Sequence, residues 1–341
     1  MKHDMNRLLI ALKKLDNIGN VKIIEILEEE KISYDNCHNF FEYKNFSKIK
    51  KLKSKINKEK LNDIDWKMAK EYADAVLKRC EQKKIDVISV YDSVYPDNLL
   101  ALKNHPVIIY VRGNADILNQ KAVAIIGTRE PTPLGKKMSK RFGAKLGSDG
   151  YVIVSGLAIG CDSYGHMGAL EVGASTIAWL AHGLDQPVYP KVNRELAEKI
   201  IDKGGALVSE YEPGIKLKPQ NLVVRDAWQS GMSDGIIAVE TGIKGGTLHA
   251  MNHAWDNKRP IGMLDIKSLI PNVSDARIPS GNREFIAKGT VSALASLESV
   301  NEFEKKLQKT RKKILSQNIK KFIPEDKFLK NSDINIEEKL L

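Results

Sequence analysis

The chain has 341 residues, 42% of them hydrophobic and 28% charged, which suits one large globular domain with one or two small ones. Its formal net charge of +11 favours acidic partners, nucleic acid or a membrane surface, although a lysine-rich, A/T-biased genome raises charge without any such function. No apolar run approaches the roughly eighteen residues of a bilayer span, the charge-interrupted start "MKHDMNRLLIALKKLDN" excludes a signal peptide, and the odd, scattered Cys37, Cys80 and Cys161 fit a reducing cytoplasm without a metal or disulfide framework.

Residues 1–80 predict a helical N-terminal domain, with leucine, isoleucine and lysine in mixed periodicity and almost no β-rich runs. Within it "LKKLDNIGNVKIIEIL" (12–27) reads helix, tight turn, helix, with Asn17 and Gly19 able to take left-handed conformations. This stretch resembles a helix-hairpin-helix element, but the usual Gly-x-Gly turn is incomplete, which favours a plain helical hairpin packed on the next domain. The lysine run "KNFSKIKKLKSKINKEK" (44–60) reads as a solvated helix face.

Downstream, "KIDVISVYDSVYPDNLLALKNHPVIIYVRGN" supplies two strand-like pieces that extend a sheet or pack on its edge. Five near-continuous apolar runs follow: "VAIIG", "VIVSG", "TIAWLAHG", "ALVSE" and "GIIAVET". They have the character of strands covered on both faces. Leu134, Met138, Phe142 and Leu146 recur every fourth residue between the first two runs. Repeated strand–helix alternation predicts a doubly wound, mainly parallel α/β sheet. The stretch "FIAKGTVSALASLESVNEFEKKL" closes the domain, and residues 300–341 read as a basic tail. From Lys305 to Lys321 that tail has eight basic residues and no acid, as expected of a solvated helix or partly disordered arm.

In such sheets ligands bind beyond the carboxyl ends of the strands. Each of the five runs ends in small or polar residues: Gly127-Thr128-Arg129, Ser155 to Asp162, residues 182–193, 209–214 and 240–247. Five such loops on one rim bring backbone amides, with helix N-termini behind them, toward a negative ligand. The identity of that ligand stays open at this level. The dinucleotide fingerprint G-x-G-x-x-G is absent from "GTREPTPLG", and there is no Walker A motif. Gly156, Gly160 and Asp162 lead into a helix as a phosphate-binding turn would.

The blocks "VAIIGTREPTPLG", "IVSGLAIGCDSYGHMGAL", "HGLDQPVYPKVN", "LVSEYEPG" and "GGTLHAMNHA" occur in the order and spacing of the DNA-processing protein A (DprA/Smf) family. The resemblance runs over residues 85–297, with "IPSGNREFIAKGTVSAL" and the lead-in to the sheet included. It implies a Rossmann-like domain that binds single-stranded DNA without cutting it. Such proteins protect incoming strands and help load the RecA recombinase in natural transformation. It further implies that Arg129 and Lys191 line a basic pocket, and that Asn193 and the glycine loops seat the DNA backbone. Arg225 and the amides at Gly127, Gly156, Gly160, Gly246 and Thr247 complete the expected phosphate-binding set. Guanidinium suits bidentate phosphate contact and lysine supplies a point charge. Tyr189 offers a stacking face, worth about 1–3 kcal/mol per base. The bland alternatives are a salt bridge from Arg129 to Glu240 and a packed turn at Tyr189-Pro190. Implied partners are single-stranded DNA, RecA and a second copy of the chain, with no membrane and no cofactor.

The chain departs from the family in two places. Arg225-Asp226-Ala227 stands where an Arg-Asn-Arg run is usual, which removes one positive charge and adds a negative one at the rim. Residues 300–341 are also too short and polar for the family's frequent winged-helix domain.

The competing reading is a Rossmann-like nucleotide sensor or a nucleoside-monophosphate hydrolase, since "ETGIKGGTLHAM" is similar to their G-G-x-G-T signature. The catalytic glutamate of those hydrolases is replaced here by Leu248, His249, Ala250 and Met251. A dehydrogenase lacks its fingerprint. His249 and His253, one helical turn apart, lack the Glu of a zinc H-E-x-x-H. The expectation is therefore a cytoplasmic, non-enzymatic single-stranded-DNA-binding protein.

Overall fold

The computed structural model describes residues 2–49 and 62–317. Most of the lysine run at 44–60 and the tail beyond residue 317 lie outside the described residues. One nine-stranded sheet organises the chain. Its strands are β1 (Asp86–Ser89), β2 (Ile108–Gly113), β3 (Ala122–Ile126), β4 (Val152–Ser155), β5 (Thr176–Trp179), β6 (Ala206–Ser209), β7 (Gly235–Ala238), β8 (Ile261–Leu264) and β9 (Ser292–Leu294). Their spatial order is β1-β2-β6-β5-β4-β3-β7-β8-β9. The pairs β1–β2 and β2–β6 are antiparallel and all others parallel. The two lead-in strands thus extend the sheet. Every residue of β3 to β8 is buried, as the unbroken apolar runs require.

The chain winds outward from β3 through β4 and β5 to β6, then returns to lay β7 on the other side of β3. This is the doubly wound, Rossmann-like α/β topology expected from the alternation, and it creates a switch point between β3 and β7. Helix α4 (Pro133–Ser148) starts at a capped turn, with Thr132 Oγ1 accepting from Gly135 N and Pro133 at the first turn. Its stripe buries Phe142 and Leu146 and half-buries Leu134 and Met138. Helix α5 (Cys161–Glu171) crosses it so closely that a Cβ on Gly143 would lie 2.2 Å from the Gly165 carbonyl oxygen.

At the N-terminus α1 (Lys2–Lys14) and α2 (Asn20–Glu29) form the expected hairpin, and α3 (Asp63–Gln82) packs on α1. Asn17 is left-handed at φ 62°, whereas Gly19 caps α2 in an extended conformation at φ −90°. Ile18 is buried in this turn, and Asn20 Oδ1 accepts from Val107 N. These contacts are those of a hairpin docked on the sheet's lead-in.

The remaining long helices are α6 (Arg194–Asp202), α7 (Pro219–Gly231), α8 (Thr247–Asp256), α9 (Ser280–Ala287) and α10 (Leu297–Leu315). Helix α10 corrects the expectation of a solvated arm over its length. Val300, Phe303, Leu307 and Ile314 bury one face, and Arg311 pairs with Asp234 and donates to the Asn119 carbonyl. The lysines occupy only its outer face, so their number hid an amphipathic stripe. No helix among the described residues is long and apolar enough to cross a membrane.

Because Phe303 is fully buried, Phe303→Ala should lower stability by about 3–5 kcal/mol. Lys305→Ala, on the exposed face, should change it by about 0.5 kcal/mol or less. Urea unfolding followed by circular dichroism measures both.

Candidate functional site

The loops beyond the carboxyl ends of β3, β4, β5 and β7 meet at the switch point, and mutual hydrogen bonds fix them. Thr128 N donates to the Glu240 carbonyl at 2.8 Å, and Cys161 N donates to the Thr128 carbonyl at 3.1 Å. Gly160, at φ 85°, lies against this loop, and a Cβ there would sit 2.4 Å from Thr128 O. Only glycine supports both the left-handed backbone and that approach.

Glu240 is buried, and its carboxylate accepts from Thr132 N at 2.8 Å and Thr132 Oγ1 at 2.6 Å. It therefore holds the start of α4 and not Arg129. Arg129 is exposed and makes no ion pair among the described residues. Lys191 is likewise exposed, at the head of a short 3-10 turn that follows Tyr189 and Pro190.

Arg225, placed by α7, points the other way. It is 5% exposed and donates through Nη1 to the carbonyls of Gly156 and Trp179, the latter at 3.1 Å. Its Nε lies 3.0 Å from Asp226 Oδ1 as an ion pair that lacks the alignment of a hydrogen bond. Asp162 Oδ2 accepts from Gly156 N at 3.0 Å and Ala158 N at 3.3 Å. Asn193, also buried, donates to Leu157 O and Ser163 Oγ, both at 2.8 Å. The polar groups of Gly156, Asn193 and Arg225 are thus engaged inside the protein, so these three position the rim beneath the exposed cations.

Two adjoining depressions open on the rim, and Arg129, Ala158 and Arg225 form the wall they share. One is a small slot of about 50 Å³, lined by Ile159, Leu180, Tyr189, Pro190, Leu217 and Leu222, among others, with His182 also in its wall. Tyr189 is 45% exposed here, with its ring free to meet a flat partner. The other is a cleft of about 470 Å³ at the switch point, between Gly127–Arg129 and the loop Thr241–Thr247. Gly246 and Thr247 head α8, which no side chain caps; the Leu248 and His249 amides bond the Gly245 and Gly246 carbonyls, which leaves the amides of Gly246 and Thr247 to ligand or solvent.

Burial dominates the titrations. It pushes the Asp162 carboxyl up to about 6 against the pull of Arg225, with the nearby Asp226 adding to the rise. Burial also raises Asp226, opposed by Arg225 and His249. His166, sealed beneath the rim with Nδ1 2.6 Å from Thr176 Oγ1, is pushed down to about 3 and stays neutral. Among the described residues no group of three or more His, Cys, Asp or Glu is placed to hold a metal ion.

Among the lining residues that were not singled out in the sequence are Lys244 and Gln229. Lys244 stands in the glycine loop where its charge was legible. Gln229 gave no local signal, because only the packing of α7 turns it toward the rim.

The family described as DNA recombination-mediator protein A matches residues 86–305. Protein Smf of Escherichia coli is 32% identical over 184 residues, 54% of this chain and 49% of that protein. This chain therefore spans about half the length of that relative. DNA processing protein DprA of Streptococcus pneumoniae is 31% identical over 66% of this chain and 76% of its own length. The X-ray structure of DprA from Streptococcus pneumoniae superposes with a TM-score of 0.67 at 25% identity, over 87% of this chain and 97% of that one. DNA processing protein A from Helicobacter pylori, described for its single-stranded DNA binding mode, gives a TM-score of 0.57 at 26% identity. That match covers 66% of this chain and 96% of the other.

Asp162 sets a pH test of the buried rim. Its native carboxyl titrates near 6 against a reference of 3.8, so the native state holds the proton more tightly. That contribution to stability is present below about 3.8 and is lost as pH rises through 6. The stability of Asp162→Asn relative to the wild type should therefore rise by roughly 2–3 kcal/mol between pH 4 and pH 7. Urea unfolding of both proteins across that range measures the difference.

Proposed function

Because the chain belongs to the DNA recombination-mediator protein A family, we propose that it binds single-stranded DNA across the carboxyl-end rim of its sheet. On this reading it acts without cutting the strand, in the cytoplasm, as a second copy-pairing protein that shields incoming DNA and hands it to the RecA recombinase. One observation carries the binding step: Arg129 and Lys191 stand exposed beside an apolar slot edged by Tyr189. Unpaired cations suit a phosphate chain, and an aromatic face beside them suits an unstacked base. Duplex DNA, with its bases stacked inside, would use only the cations.

The phosphate set of this reading is Arg129 and Lys191, with amides at Gly127, Gly160, Gly246 and Thr247 behind them. Gly156, Asn193 and Arg225 serve by holding the loops at their spacing. Nucleotide sensing is the second reading, favoured by the size of the switch-point cleft, about 470 Å³, which lies within the range of small-molecule sites.

Arg129→Ala and Lys191→Ala should each weaken binding of a labelled oligothymidine by about 10-fold, or ~1.4 kcal/mol. Each should also reduce the slope of log affinity against log salt by about one. Fluorescence anisotropy at several salt concentrations reads both effects. Feeble oligothymidine binding by the wild type, with thermal stabilisation by a mononucleotide, would favour the sensing reading.

A further inference from the structure

The floor of the switch-point cleft carries groups that a phosphate cannot use. Gln229 is 2% exposed and lines this cleft. Its Nε2 donates to Asp226 Oδ1 at 3.0 Å, while its Oε1 has no hydrogen-bond partner. Arg225 Nε approaches the same Oδ1, so the hydrogen bond and the close ion pair of Asp226 meet one oxygen, while His249 and Arg129 act on the carboxyl from farther off. The other, Oδ2, faces the glycine loop, 3.6 Å from where a Cβ on Gly246 would stand. An anionic oxygen repels phosphate, and a buried acceptor without a partner costs free energy until a donor arrives.

What this floor suits is a base edge with adjacent N–H donors. The Watson–Crick edge of guanine presents N1–H and the N2 amino group side by side. Adenine and cytosine each set one amino group beside a ring-nitrogen acceptor, and thymine sets one N–H between two carbonyls. Single strands are read on such edges once their bases are unstacked. The surrounding charges divide the work, since Arg129 and Lys244 at the mouth meet phosphate while Asp226 at the floor meets the base.

We propose that the cleft between the β3 and β7 loops is a guanine-selecting subsite, in which Asp226 Oδ2 and Gln229 Oε1 accept from N1–H and the N2 amino group. This rests on the single-stranded-DNA reading given above. It makes Asp226, the residue that departs from the family's Arg-Asn-Arg run, a source of base preference.

The test uses fluorescence anisotropy of the full chain with three labelled 20-mers of thymidine. One is all thymine, one has isolated guanines at every fourth position, and one has inosine at those positions. Wild-type protein is expected to bind the guanine strand about 5- to 10-fold more tightly than the all-thymine strand. Inosine, which lacks the N2 amino group, should fall between. Asp226→Asn and Gln229→Met should each bind the guanine and thymine strands equally, with unfolding midpoints measured in parallel to show that both variants fold. Tight, salt-sensitive and equal binding of all three strands by the wild type overturns the subsite and leaves the DNA reading standing. Should no strand bind, the DNA reading fails, and GMP against TMP in a thermal-shift assay decides the cleft. Stabilisation of the wild type by GMP alone, lost in Asp226→Asn, then upholds guanine selection, and equal shifts overturn it.

Discussion

A guanidinium buried among strand ends has to find acceptors there, and the acceptors available to Arg225 are the carbonyls at the ends of β4 and β5. Their engagement ties α7 to the loops on which the rim is built. The charge itself is balanced by Asp226 at its Nε and by the nearby Asp162, whose carboxylate in turn gathers the amides of Gly156 and Ala158. Each member would be costly to bury alone, and together they satisfy one another. The loop from Gly156 to Asp162 is thereby closed inward, and its shape is held by side chains that hardly reach solvent.

This internal balance leaves the outward charge of the rim to a few residues. Arg129 and Lys191 carry that charge without a close ion pair, since Glu240 is held by Thr132, Asp162 by loop amides and Asp226 at one oxygen by Arg225, with Arg129 acting on Asp226 from farther off. Buried polar clusters of this kind fix geometry more than they add stability. Here the geometry fixed is the separation of an apolar slot from a polar cleft by the shared wall at Arg129 and Arg225.

The sheet was legible because its strands are apolar on both faces, a pattern that survives without knowledge of neighbours. The left-handed turn at Asn17 was legible for a similar local reason. Gly19 was not, because the adjoining Ile18 is drawn into the core and the turn follows it. Arg129 and Lys191 were named through the family resemblance, and both are exposed in the segments that follow β3 and β5. The inward direction of Arg225 could not be found, since α7 has polar residues around its circumference and only packing chooses which of them face the strand ends. The buried stripe of α10 was masked by lysines that share its sequence and not its face.

Helix α10 leaves β9 on the rim side and runs back along the sheet, so that Arg311 meets Asp234 at the amino end of β7. Its last basic turn, with Lys312 and Lys313, therefore stands at the foot of the strands, and the glycine loops stand at their head. A strand of about five residues separates the two ends by roughly 15 Å. The screening length at physiological ionic strength is about 8 Å. Salt thus screens most of the interaction between the two exposed basic surfaces. Exposed charges at the foot and at the head therefore act on their surroundings largely independently of each other.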